Sequence, residues 1–210
     1  MKIALFGSTG RIGKRILNEA LTRGHHVTAI VRDASHASNS NANLAFKTGD
    51  VLKAESIVMA TKGAEIVISA YGPGAGDAGQ IVTAAKALVE GVGLNQPMRL
   101  IAVGGAGSLE VAPGLQLVDT PDFPAANRKA SLAQRDALAV FRGAPLDWTY
   151  VSPAGEIKEG TRTGKYRIGT DQLVVDEKGE SRISMEDYAK AIIDEAEKPQ
   201  FARKRFTLAY

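Results

Sequence analysis

The first thirteen residues constrain this chain more than any others. Met1 to Phe6 is a short apolar run, and Gly7-Ser8-Thr9-Gly10-Arg11-Ile12-Gly13 follows at once. A helical pattern then begins, with Ile12, Ile16, Leu17, Ala20 and Leu21 on one face. A strand that turns through three glycines into a helix makes a seat for a pyrophosphate. The helix start offers unpaired N–H groups and about half a unit of positive charge. Glycines permit the tight turn, the close approach of phosphate to backbone, and close packing of helix on strand. The spacing is Gly-x-x-Gly-x-x-Gly rather than Gly-x-Gly-x-x-Gly. Glycine triplets alone say little in a chain with 22 glycines. The strand before and the helix after give this one meaning. The competing reading is a glycine-rich structural turn.

A chain of 210 residues fits one α/β domain, residues 1–210, with a sizeable core. It has no cysteine, which excludes disulfides, thiolate metal sites and cysteine nucleophiles. The amino terminus enters a strand with no signal-like segment, and no apolar stretch approaches the ~20 residues that cross a bilayer. A cytoplasmic location with no membrane partner is expected. The net charge of +3 is small and its basic residues are scattered, apart from Arg203-Lys204-Arg205. That trio is expected to flank a terminal strand, and no nucleic-acid partner is implied.

The apolar periodicity predicts helices over 11–23, 53–61, 78–91, 129–141 and 185–198. Strands are expected over 26–31, 44–47, 65–70, 99–103, 148–151 and 206–209, with short ones at 164–169 and 173–175. Residues 34–43, 72–76 and 106–126 read as loops. Ser184 is expected to cap the last helix, with Asp187 in its first turn as a favourable charge. Apolar strands alternating with helices imply a doubly wound parallel sheet in three αβα layers, with small carboxyl-terminal elements on the substrate side. Ligands of such sheets bind at the carboxyl ends of the strands, where strand order reverses. Gly7, Arg32, Asp50, Ala70, Tyr71, Gly104 and Pro153 should therefore converge.

Each strand end carries its own reading. Arg32 closes the second strand and suits the 2′-phosphate of NADP, with Arg11 able to reach the same group. The alternative is that Asp33 selects NAD through the ribose diol. Asp50 is read as an acceptor for the adenine amino group with the Val51 backbone beside it, or else as a loop cap. Ser69, Ala70 and Tyr71 end the fourth strand, where small residues let a cofactor pass close to the backbone. His25 and His26 point apart in an extended segment, so no shared metal is expected. Trp148 reads as core rather than as a flavin-stacking platform. No Gly-x-Ser-x-Gly is present, which argues against a serine hydrolase.

The glycine motif, Val31-Arg32-Asp33, Gly49-Asp50-Val51 and Val103-Gly104-Gly105-Ala106 together resemble the atypical short-chain dehydrogenase/reductases. Within them the chain is most similar to NmrA-like proteins and to the NAD(P)H-flavin reductase/biliverdin IXβ reductase type. The segment Leu117 to Pro124 also resembles bacterial NADH-flavin reductases. The resemblance spans essentially the whole chain. It implies a Rossmann-like fold, bound NADPH or NADH held by Gly7, Ser8, Thr9, Gly10, Arg11, Ile12, Gly13 and Val103, and reduction of a flavin or quinone. The classical Tyr-x-x-x-Lys pair is missing, since none of Tyr71, Tyr150, Tyr166, Tyr188 and Tyr210 has a lysine four residues on. A flavin or quinone can take its proton from water and needs no such pair. Ser108 is the candidate catalytic residue, as a hydrogen-bond partner of the acceptor, and otherwise an ordinary loop serine. Pro153 is expected near the nicotinamide. The alternative function is an NmrA-like redox sensor that binds NADP without turnover. The expected partner is a small aromatic acceptor, and the protein is read as a monomer or homodimer.

Overall fold

A computed structural model of the chain describes residues 1–35, 41–74, 76–95 and 97–210. Residues 36–40 of the expected loop over 34–43, and Ala75 of the glycine-rich loop, lie outside them. The strands are β1 (Lys2–Phe6), β2 (His26–Val31), β3 (Leu44–Thr48), β4 (Ile66–Ser69), β5 (Arg99–Val103), β6 (Glu110–Ala112), β7 (Leu115–Gln116), β8 (Trp148–Ser152), β9 (Glu156–Lys158), β10 (Arg167–Gly169), β11 (Arg182–Ser184) and β12 (Lys204–Ala209). The helices are α1 (Arg11–Thr22), α2 (Ala54–Thr61), α3 (Gln80–Leu94), α4 (Ala125–Arg142) and α5 (Met185–Glu197).

Eight strands form one sheet in the order β10-β12-β8-β5-β4-β1-β2-β3. All neighbours run parallel except β10, which pairs antiparallel with β12 through Ile168 and Leu208. The central strands β4 and β8 are buried at every residue, as expected of strands covered on both faces. One face packs Ile3, Leu5, Val27 and Ile101 with Ile16 and Ala20 of α1 and with Tyr188 and Ile192 of α5. The other packs Ala4, Phe6, Leu100 and Tyr150 with Ile57 of α2, Leu88 of α3 and Phe141 of α4. Strand order reverses between β1 and β4, because β1 pairs with both β2 and β4.

The departures from expectation lie in the second half. Helix α4 starts at Ala125 rather than 129, because Pro124 stands just before it, where a missing N–H costs nothing. The expected loop over 106–126 holds the hairpin β6–β7, closed at Gly114 with φ 75°, and a 3-10 turn over Leu117–Asp119. No strand forms over 173–175. The Leu173 N–H instead donates to the Glu110 carbonyl at 2.8 Å. A small parallel pair, β9 with β11, was not expected from the sequence.

The carboxyl-terminal elements are tied down by acids. Ser184 Oγ accepts the Asp187 N–H at 3.0 Å, the cap read from the sequence. The Asp187 carboxylate, wholly buried, accepts from Thr163 Oγ1 at 2.6 Å, Gly164 N at 2.7 Å and Tyr210 Oη at 2.9 Å. Burial pushes its pKa up, but these hydrogen bonds outweigh burial and hold it below the ordinary value. The unfolded carboxyl titrates near 3.9, so this contribution to stability is complete above about pH 4 and is lost as pH falls through the lower folded value. Asp187→Asn should lower stability by about 1–3 kcal/mol at pH 7, through buried donors left without acceptors. Thermal melts at pH 7 and pH 3 check this. The difference between wild type and variant should shrink in acid, and a constant gap would contradict the assignment.

Candidate functional site

The glycine turn is built by three close approaches. Gly7 takes φ +75°, and a Cβ there would lie 2.4 Å from the Ala70 carbonyl oxygen. A Cβ on Gly13 would fall 1.9 Å from the Gly7 carbonyl oxygen. Both positions exclude any larger residue. Gly10 differs: its φ is −74°, the nearest atom to a Cβ would be Gly7 O at 3.4 Å, and the residue is exposed. Nothing among the described residues asks for glycine at position 10.

Helix α1 begins here without a side-chain cap and without an acid in its first turn. Its first internal bond joins Lys14 N–H to Gly10 O at 2.9 Å, so the N–H groups of Arg11, Ile12 and Gly13 have no helical acceptor. Arg11 and Lys14 add exposed positive charge. Ser8 is 3% exposed, and its Oγ is buried without a hydrogen-bond partner among the described residues. Thr9 is exposed beside it. Such a turn favours an anion with several acceptor oxygens.

The neighbouring strand ends gather around the reversal point. Ala70 N–H donates to Phe6 O at 3.0 Å, so the ends of β1 and β4 touch. Burial raises the pKa of the Tyr71 phenol, with the Arg32 charge lowering it and the Asp50 charge raising it, which brings these three residues into one electrostatic neighbourhood. Arg32 is exposed. Asp33 Oδ1 accepts Ser35 N–H at 2.8 Å and Ser35 Oγ at 2.6 Å. Asp50 is a loop cap through Oδ1, which accepts Leu52 N–H at 3.0 Å, while Oδ2 lies 3.9 Å from Lys53 Nζ. Val51 is buried and Ser69 is buried. Val103 is half-buried, Gly104 is packed under the Tyr150 ring, and buried Pro153 accepts from Thr207 Oγ1 at 3.3 Å.

Ser108 does not join this group. It is 4% exposed, and its Oγ accepts Arg205 Nη1 at 2.8 Å while its carbonyl takes the same nitrogen at 3.1 Å. A serine enclosed and held by an internal guanidinium is a fastening for the loop after β5, which corrects the expectation that it meets an acceptor. The pairing of Tyr150 with Gln134 leaves no signal in the sequence. They lie 16 residues apart and meet only through the packing of α4 on β8. Trp148 is core, packed 6.3 Å from the Phe141 ring. His25 is buried against Glu197 at 2.8 Å and His26 is exposed. Among the described residues no group of three or more His, Cys, Asp or Glu is placed to hold a metal, and no helix is long and apolar enough to cross a membrane.

Comparison with known proteins gives this geometry a family. The profile of the NAD(P)H-binding family matches residues 7–199. A solved structure from Burkholderia pseudomallei, provisionally named an exported protein, is 49% identical over the full length of both chains with a TM-score of 0.91. A Streptococcus pneumoniae structure, provisionally named an NADH-flavin reductase, is 35% identical with a TM-score of 0.88, covering 100% of this chain and 99% of that one. The uncharacterised Bacillus subtilis protein YwnB is 39% identical over 212 aligned positions, covering 99% of this chain and 98% of its own.

The two kinds of glycine separate by experiment. Gly10→Ala should fold with a melting temperature close to wild type yet weaken binding of reduced nicotinamide nucleotide at least tenfold, since only the ligand side loses room. Gly13→Ala should lose stability itself, because its Cβ strikes backbone. Melts and calorimetric titrations on both variants decide it. Equal loss of stability in the two would contradict the distinction.

Proposed function

Since the chain belongs to the NAD(P)H-binding family, we propose that it is an NADPH-preferring reductase that passes hydride to a flavin, a quinone or a similar flat aromatic acceptor. One observation carries the reading: Gly10, the one glycine of the turn that no described residue requires, stands exposed at an uncapped helix start. A phosphate lying against a bare Cα accounts for it. The N–H groups of Arg11, Ile12 and Gly13 and the idle hydroxyl of Ser8 supply the donors. Gly7 and Gly13 keep the turn tight enough to present them.

The remaining strand ends take the other parts of the nucleotide. Arg32, helped by Arg11, meets the 2′-phosphate with a planar fork that suits it. Asp33, the rival that would favour NADH, has one carboxylate oxygen engaged by Ser35. Asp50 turns its second oxygen toward the adenine amino group, beside the Val51 backbone. Ala70, Tyr71, Val103, Gly104 and Pro153 flank the nicotinamide, over the buried Ser69. When bound, reduced nicotinamide supplies a hydride. The protein's task is to hold acceptor and nucleotide in contact and to exclude misaligned poses, which places reacting atoms ~3–3.5 Å apart. The acceptor's proton comes from water. The provisional name of the Streptococcus pneumoniae relative, an NADH-flavin reductase, agrees with such an acceptor.

Steady oxidation of NADPH with FMN or a neutral quinone, followed by nicotinamide absorbance, is the expected result. Oxidation with aldehydes alone would contradict the acceptor class. Tight binding with no oxidation by any acceptor would instead assign the chain a role as a redox reporter that holds NADP without turnover. Arg32→Ala should weaken NADPH about 10- to 100-fold, the worth of a charge-assisted contact, and NADH hardly at all. Equal losses for the two nucleotides would remove the phosphate role.

A further inference from the structure

Tyr150 stands on β8 and is 1% exposed. Its ring presses on the end of β5 so closely that a Cβ on Gly104 would lie 2.0 Å from Cε1. Its hydroxyl reaches α4, where Oη lies 2.9 Å from the Gln134 carbonyl and 2.7 Å from the Gln134 side-chain amide. Burial pushes this phenol far above its ordinary range, so it keeps its proton at every working pH. Gln134 in turn runs over Gly105, with Cβ and Cγ 3.1 and 3.2 Å from where a Cβ on Gly105 would stand. One end of the Gln134 amide is bound to the phenol. The other end has no partner among the described residues. A half-buried amide is thus fixed over the carboxyl end of β5 with hydrogen-bonding capacity unspent.

Its place along the sheet says which part of a ligand it meets. Arg32 and Asp50 follow β2 and β3, on one side of the reversal point between β1 and β4. Gly105 follows β5 and Tyr150 lies on β8, on the other side. A dinucleotide centred on the glycine turn, with its adenosine toward Arg32, lays its nicotinamide riboside toward Gln134. A ribose hydroxyl both donates and accepts, so it suits the open end of a clamped amide. We propose that Gln134 binds the nicotinamide ribose of the nucleotide, and that Tyr150 is the positioning residue that holds the Gln134 amide in place. This rests on the nucleotide reading above.

The test is binding, not turnover. NADPH and 2′,5′-ADP, which carries the adenosine half without nicotinamide riboside, are titrated calorimetrically into wild type, Gln134→Met and Tyr150→Phe, with melts run alongside. Gln134→Met should weaken NADPH about tenfold and leave 2′,5′-ADP unchanged, the worth of one buried hydrogen bond. Tyr150→Phe should shift NADPH in the same direction by about threefold, again sparing 2′,5′-ADP. A merely structural role would weaken both ligands together, and that outcome overturns the proposal. So does an NADPH affinity that Gln134→Met leaves unmoved. Should wild type bind neither ligand, the nucleotide reading fails and this assignment goes with it. Binding of both by wild type with no split in the variants refutes this assignment alone.

Discussion

The contact on which the rest depends is that of Gly13 with the carbonyl of Gly7. A single Cβ at residue 13 would sit 1.9 Å from that oxygen, so only glycine lets α1 approach β1 this closely. Gly7 repeats the constraint toward β4, against the Ala70 carbonyl at 2.4 Å. Together they seat the first turn of α1 at the junction of β1 and β4, where strand order reverses. An uncapped helix start is thereby delivered to the one place on a doubly wound sheet where ligands gather. The apolar strands on either side give that junction a rigid base.

The first half of the chain was legible because its signals are local and strong. The runs Ile3 to Phe6 and Ile66 to Ser69 are almost wholly buried in the structure, as their apolar character implies. The face of α1 read from Ile12, Ile16 and Ala20 is the face that packs. The second half was less legible for physical reasons. Strands β9 and β11 have three residues each, too few for periodicity to register, and the short strand expected over 164–169 forms only as β10. They are set by distant side chains. Arg162 reaches Glu19 of α1 at 2.8 Å, and Gly160 N–H reaches Glu186 of α5 at 2.8 Å. Ser108 looked like an open loop serine because its partner, Arg205, is 97 residues away.

The tyrosines bear on the chemistry. Tyr150 and Tyr188 are enclosed in the core, and burial raises both phenols far above the range in which they give up a proton readily. Tyr188 is held by the Val151 carbonyl and Tyr166 by Asp194 at 3.0 Å. Tyr71 donates to Gln80 Oε1 at 2.8 Å and is raised by burial as well. Phenols placed and raised in this way serve as fixed hydrogen-bond donors. Within the fold they hold strands and helices together: Tyr188 joins α5 to β8 and Tyr150 joins β8 to α4.

The proposed function requires the amides of the glycine turn to receive a diphosphate. Backbone amide resonances of a nitrogen-15-labelled sample, followed as NADPH is added, test it most directly. The largest shifts are expected at Ser8, Gly10, Arg11, Ile12 and Gly13, moving together with one affinity. Resonances of these residues that stay in place, while others move or none do, would contradict it.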